Sequence, residues 1–227
     1  IGMILFTSRP VGDAMATTIW GTSSSWTLTA LPLFVWMGEI LFRTKLSENL
    51  FEGLSPWMQK LPGGLIHVNV VGCALFAAIS GSSAATVATV GKMSIPELRK
   101  RNYPEKILLG SLAGSGTLGL LIPPSIILII YGVTVQESIA KLFVAGIIPG
   151  IMIALIFMGY VILWSLFNKK EMPSILTNYS FGEKIKRSGQ LIPVILLIIS
   201  VIGSIYTGIA TATEAASLGA VSYTHLT

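Results

Sequence analysis

The sequence is poor in charged residues and in side chains that bind metals. Asp, Glu, Lys and Arg together make up 11% of its 227 residues, whereas they make up roughly a quarter of an average soluble domain. This shortage argues against a soluble enzyme or a nucleic-acid-binding domain. The single cysteine, Cys73, excludes an intrachain disulfide framework and a cysteine-based zinc site. The two histidines, His67 and His225, are too few and too far apart to suggest a metal cluster.

Hydrophobic residues dominate what remains. They make up 52% of the chain, and the mean hydropathy is +0.77. This composition predicts an all-α polytopic membrane protein, because helices satisfy their own backbone hydrogen bonds in lipid. The chain has 15 Lys and Arg against 10 Asp and Glu. In a membrane protein such an excess of basic residues normally lies in cytoplasmic loops, so it does not indicate a nucleic-acid partner. We expect the partner that surrounds the chain to be a lipid bilayer.

Several hydrophobic segments have lengths that suit particular positions relative to a bilayer. A spanning helix needs about 20 mostly apolar residues. Residues 142–167 and 190–206 are predicted spans, and residues 26–42 form a slightly short span with aromatic and basic residues at its edge. Residues 46–60 are amphipathic and are predicted to form an interfacial helix.

Residues 63–91 have the pattern of a re-entrant hairpin. The apolar part, 65–79, is only 15 residues long and runs into Ser80-Gly81-Ser82-Ser83, after which a second apolar stretch follows. Basic residues stand on both sides, with Lys60 before the segment and Lys92 after it. If both ends lie on one side of the membrane, the chain must enter and return, with a polar tip in the bilayer.

Residues 107–131 have the pattern of a broken helix. Gly114-Ser115-Gly116-Thr117, Gly119 and Pro123-Pro124 interrupt this apolar stretch. Adjacent prolines remove two backbone donors and break a helix. In lipid such a break persists only where protein or a cavity satisfies the freed carbonyls.

The loops predict an orientation. Residues 92–106 and residues 168–187 each hold five Lys or Arg and two acids, whereas 132–141 holds one of each. The two basic loops are therefore assigned to the cytoplasm and the short loop to the outside. The run Arg99-Lys100-Arg101 is most simply a solvated loop that fixes topology, since it is smaller than the usual anionic-lipid cluster.

The hairpin tip and the helix break together predict an ion site. Breaks at membrane depth expose carbonyls and helix ends, which can hold a sodium ion and a substrate anion, and hard cations prefer oxygen ligands. The alternative is that the small residues only permit close helix packing. The candidate hydroxyls are Ser80, Ser82, Ser83, Thr86 and Thr117, and the candidate carbonyls are those of Gly119, Ile122 and Pro124.

Five blocks carry a family resemblance. They are LPGGLIHVNV, FAAISGSSAATVATVGKMSIPEL, GTLGLLIPPSIILIIYG, SIAKLFVAGIIPG and GIATATEAASLGAV, in this order within residues 26–221. The chain resembles the large membrane subunit of TRAP (tripartite ATP-independent periplasmic) transporters. The resemblance implies a multi-pass protein of a bacterial-type inner membrane. It also implies a non-enzymatic, sodium-driven importer of organic acids, such as C4-dicarboxylates or sialic-acid-like anions, with an elevator-like movement.

The resemblance also implies partners and site residues. The partners are a small membrane subunit and an extracytoplasmic substrate-binding protein, and sodium is the coupling ion rather than a resident cofactor. By motif, Ser80 and Ser83 in the hairpin and Gly119, Ile122 and Pro124 in the broken helix match one sodium site. Thr211, Thr213 and Glu214 match a TPTEA-like block in which Ala212 replaces the usual proline. Glu214 is either a functional intramembrane acid or a carboxylate buried in a polar seam.

The resemblance covers one part of the family architecture, which is built from two inverted repeats. We expect residues 1–221 to form a single transmembrane domain holding the first repeat and the start of the second. A second sodium site would lie in the half that is not present. The SYTHLT tail, residues 222–227, does not continue the family pattern and is expected to be non-native.

Two other classes remain open from the sequence. An intramembrane serine hydrolase would use Ser82 or Ser83 as nucleophile and His67 as base, which requires the two side chains to lie roughly 2.6–3.2 Å apart. His67 otherwise makes one hydrogen bond near the interface. A passive channel would also contain broken helices, although the sequence has no selectivity-filter motif.

Overall fold

Every regular element of the part of the chain that the structure describes is helical, as predicted. The structure, a computed structural model, describes residues 10–44, 46–173 and 179–226. The α-helices are α1 Val11–Ser23, α2 Ala30–Arg43, α3 Leu46–Met58, α4 Ile66–Ser80, α5 Ser83–Lys100, α6 Glu105–Gly116, α7 Ile126–Val135, α8 Ile139–Phe167, α9 Phe181–Ser188, α10 Ile192–Tyr206 and α11 Ala212–Leu226. Short 3₁₀ helices cover Trp26–Thr29, Thr117–Leu120, Lys169–Glu171 and Gly189–Leu191.

Two continuous helical runs are long and apolar enough to cross a membrane. They are α8, with 29 residues, and the run Phe181–Tyr206, with 26 residues, which includes α9 and α10. A third candidate is bent: α1 and the run Trp26–Arg43 meet at an angle of 50°. The predicted span 26–42 is thus only the second half of a longer bent pair. The bend falls at Ser24 and Ser25, between the end of α1 and the 3₁₀ helix Trp26–Thr29.

Each predicted loop is partly helical. Residues 92–100 belong to α5, residues 132–135 and 139–141 belong to α7 and α8, and residues 181–188, which overlap the predicted loop 168–187, form α9. Its first turn has a capping box, in which the Glu183 carboxylate accepts from the Ser180 N–H at 2.8 Å. Such a box satisfies backbone donors that the start of a helix otherwise leaves unpaired, so even a short polar segment can remain helical.

Helices α4 and α5 form an antiparallel hairpin that folds at Gly81. If Gly72 carried a Cβ atom, that atom would lie 3.6 Å from Cγ1 of Val90, so the two residues face each other. Both are the same number of residues away from Gly81. Gly81 closes α4 with φ +60°, a conformation that side-chain-bearing residues rarely adopt. The second arm continues to Lys100, beyond the predicted end of the hairpin at residue 91.

The predicted break between α6 and α7 is confirmed, and α8 packs against it. A Cβ on Gly146 would lie 2.8 Å from the carbonyl oxygen of Leu121, and one on Gly150 would lie 2.8 Å from Cγ1 of Ile122. Small residues on α8 therefore let it approach the irregular segment closely.

The base of the hairpin contacts α8 nearer to the C-terminus of that helix. A Cβ on Gly63 would lie 2.6 Å from Cγ1 of Val161, and the Leu65 N–H donates to the Tyr103 hydroxyl at 3.0 Å. Burial raises the pKa of Tyr103, so its hydroxyl stays neutral. From Gly150 to Val161 the helix rises about 16 Å, roughly half the thickness of a hydrocarbon core.

The two basic loops meet at one end of the molecule, as predicted. Lys92 and Arg101 of the first loop line the same cavity as Tyr179 and Arg187 of the second. Helix α3, the predicted interfacial helix, lies at this end too. Its Trp57 indole N–H donates to the Ser188 hydroxyl at 2.7 Å, so α3 is tied to the end of α9.

Candidate functional site

The hairpin tip meets the helix break through main-chain atoms. A Cβ on Gly119 would lie 2.8 Å from the Ser83 nitrogen and 2.9 Å from the Ser82 carbonyl carbon. A Cβ on Gly81 would lie 2.6 Å from the Pro124 carbonyl oxygen, and the Ile126 N–H donates to the Gly81 carbonyl at 3.4 Å. Glycine at 81 and 119 is what permits this approach.

Four helix ends converge at this contact. Helix α4 and the 3₁₀ helix Thr117–Leu120 end here, while α5 and α7 begin here after the N-cap residues Ser82 and Ser125. Helix C-termini carry partial negative charge and N-termini partial positive charge. The contact therefore presents ends that suit a cation beside ends that suit an anion.

Three of the predicted hydroxyls hold the turn together. The Ser80 and Thr86 side chains are completely buried, and their hydroxyl oxygens lie 3.0 Å apart. The Thr86 hydroxyl donates to the Ser82 carbonyl at 2.8 Å, and the Ser82 hydroxyl accepts from the Ala85 N–H at 3.4 Å. These bonds keep the oxygen atoms of the tip in a fixed arrangement.

The Ser83 hydroxyl differs from the others at the tip. It is buried and has no hydrogen-bond partner among the described residues. An unsatisfied buried hydroxyl costs about 1–3 kcal/mol. The Ser83 main-chain nitrogen lies beside Gly119 at this contact, and the Ser83 hydroxyl has no described partner to give up before it binds a ligand.

Two of the predicted residues are placed less centrally. Thr117 is exposed, and its hydroxyl donates to the Gly114 carbonyl at 2.7 Å. The Ile122 side chain packs towards Gly150, so only its main chain faces the break.

The start of α11, away from the hairpin tip, contains Thr211, Thr213 and Glu214. The Glu214 carboxylate accepts from the Thr211 N–H and hydroxyl, each at 2.8 Å, which forms a capping box at the start of α11. Thr213 is buried, but Glu214 is exposed, so it does not lie in a buried polar seam. All three line a cavity of about 660 Å³ that residues 132, 133 and 136–140 also line and that does not include residues 80–83.

Sequence reasoning missed the contribution of α2. A Cβ on Gly38 would lie 3.0 Å from the Ser80 Cβ, so α2 supports the end of the first hairpin arm. Met37, beside it, packs against Gly219 of α11. A glycine in an apolar span was the only available signal, and it is too common in membrane helices to be specific.

The structure does not bring together the serine–histidine pair that the serine hydrolase alternative requires. His67 lies at the beginning of α4 and its Nε2 atom lies 2.8 Å from the Pro62 carbonyl oxygen, which confirms the single hydrogen bond. Ser82 and Ser83 follow the far end of the same helix. The rise of α4 separates them from His67 by about 20 Å.

These features define a class: a polytopic helical membrane protein in which a helical hairpin docks against a discontinuous helix. The family follows from comparison with known sequences. The chain belongs to the family described as tripartite ATP-independent periplasmic transporter, DctM component, whose family model matches residues 1–226.

Curated relatives agree with this assignment. The chain is 35% identical over 219 residues to a C4-dicarboxylate TRAP transporter large permease protein, DctM, of Pseudomonas aeruginosa, which covers 96% of the chain and 50% of the relative. It is 35% identical to a sialic acid TRAP transporter large permease protein, SiaM, of Vibrio cholerae, covering 91% and 50%. It is 34% identical to an isethionate TRAP transporter permease protein, DctMQ, of Oleidesulfovibrio alaskensis, covering 94% and 33%. The chain thus spans half or less of the length of these relatives.

Proposed function

We propose that the chain is part of the membrane subunit of a sodium-coupled secondary transporter that imports organic acids across a bacterial inner membrane. The names of the relatives support this substrate class, since they include C4-dicarboxylate and sialic acid permeases. A small membrane subunit and an extracytoplasmic binding protein would complete the transporter, and the binding protein would choose the substrate. The remaining half of the subunit would supply the second repeat.

The observation that carries the proposal is the free Ser83 hydroxyl at the contact between tip and break. Sodium is a hard cation that takes oxygen ligands. The candidate ligands are all oxygen atoms. They are the hydroxyls of Ser80 and Ser83 and the carbonyls of Gly119, Ile122 and Pro124. The converging C-terminal ends of α4 and the 3₁₀ helix Thr117–Leu120 favour the positive charge.

Sodium would act by holding the two breaks together. With the tip fixed against the break, the N-termini of α5 and α7 would face the substrate carboxylate. Ion and anion would then strengthen each other's binding, and linkage requires this effect to be reciprocal. In this proposal the hairpin is re-entrant, and it moves with the broken helix as one body during an elevator-like step.

Ser83→Ala tests the ion site, and Ser94→Ala is its matched control. Ser94 lies on the same helix, and its hydroxyl is also buried without a partner among the described residues, but it is three turns from the tip. The whole transporter is reconstituted with its partner subunits, and organic-acid uptake is measured against sodium concentration. Loss of one oxygen ligand should raise the half-saturating sodium concentration about tenfold, whereas Ser94→Ala should leave it unchanged.

The same measurement distinguishes the alternatives. If Ser83→Ala lowers the maximal rate of uptake without changing the half-saturating sodium concentration, the serine is needed but does not bind the ion. If it changes neither, the small residues serve packing alone. Flux that neither saturates nor requires sodium would indicate a passive channel.

A further inference from the structure

A second cavity lies at the opposite end of the hairpin from the tip. Its volume is about 450 Å³, and it lies where α3, the second half of α5 and α9 meet. Three cationic side chains line it: Lys92 and Arg101 from the second half and end of α5, and Arg187 from α9. The fold therefore assembles a basic cluster that no single stretch of sequence contains.

The two acids of the cavity are already engaged. Glu97 pairs with Arg101, with 3.4 Å between Oε2 and Nε. The Glu52 carboxylate accepts from the Gln190 side-chain amide at 3.0 Å. The neutral amide leaves the Glu52 charge in place, so the cavity holds three cations and two carboxylates; among the described residues neither carboxylate forms an ion pair with Lys92 or Arg187.

Lys92 and Arg187 lie against aromatic rings. The Lys92 ammonium is 4.9 Å from the centre of the Phe42 ring, and the Arg187 guanidinium carbon is 4.7 Å from that of Tyr179. Within the described ranges neither forms an ion pair with a carboxylate. Contact with a ring face orients a cation while leaving its N–H donors free. These donors are therefore available to an anion in the cavity.

Helix α9, which carries Arg187, also exposes apolar side chains. Phe181 and Ile185 of α9 are 69% and 55% exposed, and Arg187 follows them within the same short helix. An amphipathic helix with exposed apolar side chains beside basic ones suits the boundary between lipid headgroups and acyl chains. A soluble anion would use the cations but would not need these apolar side chains.

We propose that this cavity binds the phosphate of an anionic phospholipid, with Lys92 and Arg187 as the principal contacts and Arg101 in support. One guanidinium group can donate two parallel hydrogen bonds to two oxygens of the same phosphate, and an ammonium group adds a compact positive charge. The acyl chains would lie in the same lipid layer as the exposed side chains of Phe181 and Ile185. A bound lipid would then join α3, α5 and α9 at the membrane surface.

The test measures lipid binding to the purified whole subunit in detergent. Fluorescent phosphatidylglycerol is titrated, with phosphatidylcholine as the zwitterionic comparison of zero net charge, and native mass spectrometry counts the bound lipids. The combined variant Lys92→Gln, Arg187→Gln should weaken phosphatidylglycerol binding about 25-fold, roughly fivefold for each cation lost near a membrane surface. The matched control is Lys100→Gln with Lys106→Gln, which removes two exposed cations of the same basic loop that do not line the cavity.

Two further arms identify the ligand. Lys92→Arg keeps the charge and should keep the binding, which separates loss of the contact from loss of the fold. Sodium phosphate is added as a competitor; displacement of the lipid below about 1 mM phosphate would assign the cavity to a soluble phosphate and overturn the lipid assignment. Equal binding of phosphatidylcholine and phosphatidylglycerol, or equal losses in the two double variants, would overturn the proposal altogether.

Discussion

Replacing Gly119 with alanine perturbs the contact between the hairpin tip and the helix break directly. The new Cβ would lie 2.8 Å from the Ser83 nitrogen, 2.9 Å from the Ser82 carbonyl carbon and 3.0 Å from the Ser82 carbonyl oxygen. All three are main-chain atoms, so no change of rotamer relieves the overlap. The tip must move away from the break, or the break must distort.

The magnitude follows from the nature of the overlap. Adding one methyl group to a tightly packed site costs about 1–3 kcal/mol. If the tip must be seated before sodium binds, a cost of about 1.4 kcal/mol weakens sodium binding about tenfold. Gly110 on α6 is the control, because a Cβ there meets nothing within 4 Å. Gly110→Ala should stabilise the helix by about 0.5–1 kcal/mol.

The assay is thermal unfolding of the purified whole subunit with and without sodium. Gly119→Ala should lower the unfolding temperature and reduce the stabilisation that sodium gives. In Gly110→Ala, sodium should raise the unfolding temperature by as much as it does in the unsubstituted protein. If Gly119→Ala unfolds like the original protein and responds to sodium in the same way, the tip and the break are not in contact as described.

Two further predictions concern the base and the arms of the hairpin. Asn69→Ala removes a buried amide that donates to the Leu108 carbonyl at 3.2 Å and the Ser111 hydroxyl at 3.0 Å; it should cost about 1–3 kcal/mol of unfolding free energy in detergent, and an unchanged value would contradict this role. Tyr103→Phe removes the acceptor of the Leu65 N–H and should cost about 1 kcal/mol; hydrogen exchange of that amide should speed up, and unaltered exchange would rule the bond out.

The breaks were predictable from the sequence because their causes are local. A glycine at the tip and adjacent prolines at the break disrupt helices wherever they occur. The lengths of the apolar segments predicted α8, and length together with the flanking basic residues predicted the antiparallel hairpin. The helix α9 was missed because its capping box offsets a polar composition that otherwise indicates a loop.

The assembled sites were harder to predict because they depend on packing between distant segments. That Gly119 meets Ser83, and Gly38 meets Ser80, follows from how whole helices stack. Glu214 reads as a buried acid in an apolar stretch, but the turn before α11 places it in a cap at the surface. Lys92 and Arg187 are far apart in sequence, and only the fold brings them to one cavity.

The symmetry of the hairpin about Gly81 has a consequence for changes in chain length. Because Gly72 and Val90 face each other at equal distances from the turn, an inserted residue in one arm would rotate every residue beyond it by about 100° and shift it by about 1.5 Å. The facing pairs between the insertion and the base would then be mismatched. Insertions and deletions in α4 and α5 should therefore be tolerated only where they are matched in the other arm or lie beyond the paired region, towards Lys100.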